Sequence, residues 1–356
     1  MGSKQGILAR FINRSRETIV QEKSIEVEKL KHLIVSATSV ELEIVVHEHP
    51  RVDILFKTYE GGPELKTEQT EDSLIINAKK EGKMTIVMFG NMPKCHLVIN
   101  VPKEIAEHWD VSTTSGKITT AQILAQTIRL RAVSGSIALS ESSAGRLTIH
   151  ATSGKLKIRD VKVEQLNFDV TSGNVDIASV YGDIEGEVLS GKINIANVKG
   201  QNLELKTGSG KIYLQDSYME NVEVSSSSGR IDLQRLHADA VRTIVSSGNI
   251  KLTDVHGALK GRASSGNITL NLEDNTTVDL STGSGNIYVE FKEYELNTAF
   301  DIQTSSGNIV TNIPMQIEDR QKGSLRGKAG EGDHLIRLRT TSGKVVMDTT
   351  KSAIVN

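Results

Sequence analysis

The sequence predicts an all-β protein, a single-chain parallel β-solenoid (β-helix-like) of two-strand rungs 18–19 residues long, with a short N-terminal helical cap. Three observations carry this. A Ser-Gly pair recurs with its glycine at Gly116, Gly135, Gly154, Gly173, Gly191, Gly210, Gly229, Gly248, Gly266 and Gly285, always 18 or 19 residues apart, then at Gly307 and Gly343. Two residues after each glycine stands an aliphatic, from Ile118 and Ile137 to Ile309 and Val345. Later in the repeat comes a second apolar–polar–apolar run, as in "IRLRA" (128–132), "LTIHA" (147–151) and "LELKT" (203–207).

A motif written many times in one chain is architecture. The alternation marks short strands with one face buried. A 19-residue unit that already holds two strands has no room for a helix, and propeller repeats are about twice as long. Each rung cannot bury its own apolar face, but a stack encloses a continuous core, with equivalent residues about 4.8 Å apart. Glycine recurs because every rung turns the same corner. The inward position at 132, 151, 170, 188, 207, 226, 245, 263 and 282 holds only Ala, Val, Thr or Ser, which implies a thin rung; aromatics at 4% agree. The rungs from Gly173 and Gly248 are one residue shorter and carry an extra corner glycine, Gly182 and Gly257.

Residues 1–24 form a basic amphipathic segment. Ile7, Leu8, Phe11 and Ile12 share a helical face, with Arg10, Arg14 and Arg16 elsewhere. Such a helix either covers the open end of the stack or, through residues 5–16, lies on a membrane surface. Residues 25–110 read as irregular leading β rungs. "SATSVELEI" (36–44) fits a degenerate rung with Thr38 at the glycine position and Val40 and Leu42 inward. "VDILFKTYE", "SLIINAKK", "MTIVMFG" and "CHLVINVPKE" follow as strands. Residues 111–356 form the regular Ser-Gly solenoid, interrupted at 313–333 by a polar, glycine-rich segment that reads as a protruding loop.

A net charge of −2 gives no bulk drive toward nucleic acid or anionic membrane, so no nucleic-acid partner is expected. The single cysteine, Cys95, excludes an intramolecular disulfide. No apolar run reaches membrane-spanning length and no signal peptide is visible. The expected location is therefore cytoplasmic, with the inner membrane face as the surface that a helix at 5–16 would touch. No cofactor is expected.

The corners "TTSGKIT", "TSGKLKI", "TSGNVDI" and "SSGNIKL", after "VINVPKEI" and before the terminal "LRTTSGKVVM", resemble the bacterial putative-adhesin family, a β-solenoid domain of unknown function. The resemblance covers roughly residues 30–350. It implies an adhesin-like or scaffold role, linked to bacterial cell-envelope stress because some relatives are encoded beside Lia-type stress systems. It brings no catalytic residues.

Two outward columns are candidate surface sites. Glu185, Glu204 and Glu223 stack on one strand face, with Asp169 and Glu187 in the next column. Stacked carboxylates would lie near the ~5 Å spacing of a retaining glycosidase pair, and they could also hold a cation. The plain alternative is a solvated face, shared with Lys206, Arg242, Lys260 and Arg262, that has no cleft to exclude water. The second column follows the repeat glycine: Lys192, Lys211 and Arg230, then Asn249, Asn267, Asn286 and Asn308. Its cations suit an anionic glycan or a phosphate polymer, and its asparagines a hydrogen-bonded ladder. His47 and His49 would need a third ligand such as Cys95 or His96 to bind zinc, and spacing does not bring them together. The expected function is non-enzymatic structure or binding, toward an unidentified protein or glycan. The competitor is a carbohydrate-active enzyme or glycan-binding protein that uses the outer face of the solenoid.

Overall fold

The computed structural model describes residues 17–80, 93–292 and 295–350. Every regular element among them is a strand. The chain forms two compact units, Met1–Ala144 and Gly145–Asn356.

In the second unit the repeat stacks in register. Gly191 pairs with Gly210 and Gly210 with Gly229, and with them Ile193 with Ile212 and Ile212 with Ile231. All three isoleucines are fully buried. The hydrogen-bonded ladder runs through the corners without a break over Asn221–Ser265. Thr207 and Ser226 take the small inward position and are buried. The corner glycine meets two constraints at once. Gly210 has φ 148°, and a Cβ there would sit 1.7 Å from the carbonyl oxygen of Gly191. No other residue fits that approach.

Each rung has a second corner that glycine does not mark. Asp160, Ser179, Asn197, Asp216, Arg235 and Asp254, each six residues after its corner glycine, have φ between 47° and 56°. Four of these six are Asp or Asn, which after glycine best tolerate this left-handed region. Polar side chains brace the rungs. Asn249 Oδ1 accepts the Asn267 backbone N–H (3.0 Å), Asn267 Oδ1 that of Asn286 (2.9 Å), and Asn286 Oδ1 that of Lys344 (2.8 Å). The asparagine ladder expected from sequence therefore exists, but it closes through backbone donors.

Asp183 braces another turn. Its carboxylate accepts the backbone N–H of Gln201 and Asn202 and the Asn202 amide, each at 2.9 Å. Burial alone would raise this carboxyl, but the Asn202 side chain and the two backbone donors outweigh it and hold it below the ordinary aspartate value. The folded pKa is thus lower than the unfolded value of about 3.9. The stabilisation is present above that pH and is lost as pH falls through the folded pKa. Asp183→Asn is expected to be about 1–2 kcal/mol less stable than wild type at pH 7. That gap should shrink in urea unfolding at pH 3; a gap that is constant or widens on acidification would contradict the assignment.

At one end of this unit chain order and spatial order part. Ile287 pairs with Val345, and Val345 pairs with Ile309. Val278–Ser284 pairs with His334–Ser342, which pairs in turn with Thr298–Thr304. The rung of Gly343 is therefore inserted between those of Gly285 and Gly307. The loop expected at 313–333 is corrected. Gln316–Gln321 and Ser324–Ala329 form an antiparallel hairpin whose second strand pairs antiparallel with Thr298–Thr304. The hairpin covers the edge of the parallel stack, and its outer strand is short, charged and bulged between Ile317 and Asp319, features that discourage further pairing.

The first unit repeats these devices. Leu30–Ala37 lies between Ser73–Lys79 and Ala106–Ala121, parallel to both. Val40–His47 pairs parallel with Cys95–Pro102 and, over three residues, with Ile118–Thr120. Leu42 faces Ile118, so Val40 takes the glycine position. The assignment of Thr38 to that position is corrected by two residues. Thr18–Glu26 is a strand antiparallel to Arg51–Tyr59, which lies antiparallel to Cys95–Pro102. This corrects the helical cap over the described part of residues 1–24: the β-branched Thr18, Ile19 and Val20 satisfy their backbone groups in a nine-residue ladder. Residues 5–16, the expected cap or membrane contact, and "MTIVMFG" (84–90) lie outside the described residues.

Candidate functional site

Registry stacks each of the sequence-predicted columns. Glu185 faces Glu204 and Glu204 faces Glu223; Lys192 faces Lys211 and Lys211 faces Arg230. The two columns differ in what surrounds them. Glu204 is paired with Lys206, whose pKa that carboxylate raises, and Glu223 lies 3.7 Å from Arg242. The acidic face is thus cross-paired with the cations named from sequence. Among the described residues Lys192, Lys211 and Arg230 are exposed and have no carboxylate partner.

The acidic column borders a shallow depression of about 240 Å³, with Asp169, Glu187 and His150 on its rim. Phe168 points inward and swells into the next rung, where only a glycine leaves space: a Cβ on Gly186 would lie 1.9 Å from the Phe168 ring. Glu185 and Glu187 flank Gly186 and stay exposed. Carboxylates in open water beside lysine and arginine keep their hydration, so the depression does not supply the enclosed setting that acid–base chemistry uses.

The histidine pair is separate from the cysteine. The rings of His47 and His49 meet edge-on at 5.3 Å. Cys95 faces Val40 and His47 faces Pro102, at opposite ends of that pairing. Cys95 is buried, and burial raises its thiol pKa. Among the described residues no group of three or more His, Cys, Asp or Glu is placed to hold a metal ion.

Sequence reasoning missed one column, although its signal is plain: the residue eight after the corner glycine. Lys199 faces Tyr218 and Tyr218 faces His237. The Tyr218 and His237 rings stack at 4.9 Å and 5°, and His237 and His256 at 4.2 Å and 4°. His256 contacts Asp254 (3.1 Å) and Asp274 (2.7 Å). The His237 ring has a neighbour on each face, so the stack offers solvent its polar edges.

A family model described as Toastrack DUF4097 matches residues 30–188 and again 181–347, and the chain belongs to that family. The resemblance carried by the Ser-Gly corners is thereby borne out. Two similar solved structures are a putative cell adhesion protein from Clostridium sporogenes and a putative adhesin from Bacteroides fragilis. Each is 11% identical and is matched over 94% of this chain; the matches cover 100% and 98% of those chains, with TM-scores of 0.21 and 0.24. No curated protein matches the chain significantly.

Proposed function

We propose that this Toastrack chain is a non-enzymatic binding protein, an adhesin-like or scaffold body that serves the bacterial cell envelope. It works from the cytoplasmic side, with residues 5–16 as its contact to the inner membrane face. Its partner, protein or glycan, engages the repeated outward columns. The observation that supports this is the contrast between them. Glu204 and Glu223 spend their charge on Lys206 and Arg242, whereas Lys192, Lys211 and Arg230 leave a stacked positive edge for an anionic partner.

Co-sedimentation with bacterial envelope fractions tests the reading. Wild type is expected to bind, more weakly as salt rises. The triple change Lys192→Gln, Lys211→Gln and Arg230→Gln should lose at least about tenfold in affinity, equivalent to ~1.4 kcal/mol, with an unchanged melting temperature. Binding that ignores the triple change would contradict the assigned column. Turnover of a glycan by wild type, abolished by Glu185→Gln, Glu204→Gln and Glu223→Gln together, would establish the carbohydrate-active enzyme instead.

A further inference from the structure

The inserted rung of Gly343 builds a cleft that the repeat by itself does not have. Its volume is about 530 Å³, and residues 281–283, 303–305, 323–324 and 339–341 line it. We propose that this cleft binds a hydroxylated ligand that bears one oxyanion, a sugar carrying a carboxylate or a phosphate. The proposal rests on the binding reading above and gives it a ligand class.

Charge pattern comes first. Across six strands one outward column reads Lys260, Asp279, Arg337, Asp301, Arg326, Asp319, an alternation with no net charge. The adjacent column reads Arg262, Ser281, Arg339, Gln303, Ser324, Gln321: two guanidinium groups and no carboxylate. Asp301 is already engaged. It accepts a hydrogen bond from Arg337 Nε at 3.3 Å, and Arg326 and Arg339 each stand 3.7 Å away. The Arg339 contact is longer than a hydrogen bond, so its planar fork of donors is open to a carboxylate or phosphate.

Hydroxyls supply the remainder. Thr282, Thr304 and Thr340 donate to the corner carbonyls of Gly266, Gly343 and Gly285 at 2.9, 3.1 and 3.0 Å, which fixes the floor. The hydroxyls of Ser281, Ser305, Ser324 and Thr341 make no side-chain hydrogen bond among the described residues and line the same space. Arg339 is the single charged lining residue. A cleft of this size suits a small ligand of one or two sugar rings. One cation within a ring of hydroxyls complements a polyol with one negative charge.

Calorimetric titration of the full chain decides it, with four probes: a glucuronate-bearing disaccharide, its neutral counterpart of the same linkage, glucose 6-phosphate and inorganic phosphate. At least one acid-bearing sugar should bind wild type at least about tenfold more tightly than the neutral disaccharide and inorganic phosphate. The tighter of the two identifies the oxyanion as carboxylate or phosphate. Arg339→Gln should remove that tenfold preference and keep the melting temperature, and Ser281→Leu should block the cleft without a change of charge. The triple Gln variant of Lys192, Lys211 and Arg230 should bind these probes as wild type does. Four outcomes would overturn the proposal: a neutral disaccharide that binds as tightly as the tighter acid-bearing sugar, inorganic phosphate that does so, an unaffected Arg339→Gln, or no binding of any probe up to about 10 mM. Envelope binding that persists while the probes fail would refute the cleft and leave the proposed function standing.

Discussion

Gly248→Val is expected to lower stability by about 4 kcal/mol or more, among the largest single-residue effects in the chain. Gly248 has φ 145°, and its Cβ would fall 1.7 Å from the Gly229 carbonyl oxygen. That oxygen is backbone held by its own ladder, so it cannot swing aside as a side chain would. The strain also passes onward, because Gly266 stacks on Gly248 with the same approach, 1.6 Å. Asn249→Ala, one residue on, should cost only about 1–2 kcal/mol, the value of an N–H on Asn267 left without its acceptor. Chemical denaturation of the two variants checks the ranking. Equal midpoints for wild type and Gly248→Val would remove the corner role of glycine.

Gly186→Leu is expected to be destabilising by about 3 kcal/mol through overpacking alone. The site is a size exchange between rungs: the inward position reads Ile149, Phe168, Gly186, Leu205, Val224. Phe168 occupies space that the next rung gives up, and the Gly186 Cβ would lie within 2.5 Å of three of its ring atoms. Phe168→Leu alone should open a void and cost about 1–2 kcal/mol. The double variant restores one leucine to each rung and should be more stable than Gly186→Leu alone, with a coupling of at least about 1 kcal/mol. Additive losses would show that the two positions do not share that space. At Gly261 the neighbour is the Leu280 Cδ2, the far end of a flexible side chain, at 2.6 Å. A Gly261→Ala change should accordingly be milder than Gly186→Ala.

The corners, the inward column and the outward Lys and Glu columns were legible because each is a fixed offset from a glycine that sterics require. The register at Val40 was not. A shift of two residues keeps the same side chains on the same face, so alternation fits Thr38 and Val40 equally. Rung order was not legible either, since "SSGNI" and "TSGKV" corners are interchangeable as neighbours and carry no label for the rung beside them. Thr18–Glu26 and Gln316–Gln321 are mostly exposed strands at sheet ends, so they lack the apolar alternation that marks buried ones. The left-handed second corner escaped notice because six residue types share it across both units. The cleft draws its lining from separate strands and a turn, which only the inserted rung brings together.

Rung insertion is the feature on which the cleft and the end of the stack both depend, and cysteine cross-linking tests it directly. In a Cys95→Ala background, the paired changes Tyr288→Cys with Val346→Cys, and Val310→Cys with Val346→Cys, put thiols on directly facing residues. Facing residues on neighbouring strands lie about 4.8 Å apart, within disulfide reach. Tyr288→Cys with Val310→Cys places them two strands apart, about 9.6 Å and out of reach. The account predicts rapid disulfide formation in the first two pairs and none in the third. Formation in the third pair, with failure of the first two, would show rungs stacked in chain order and would contradict the account.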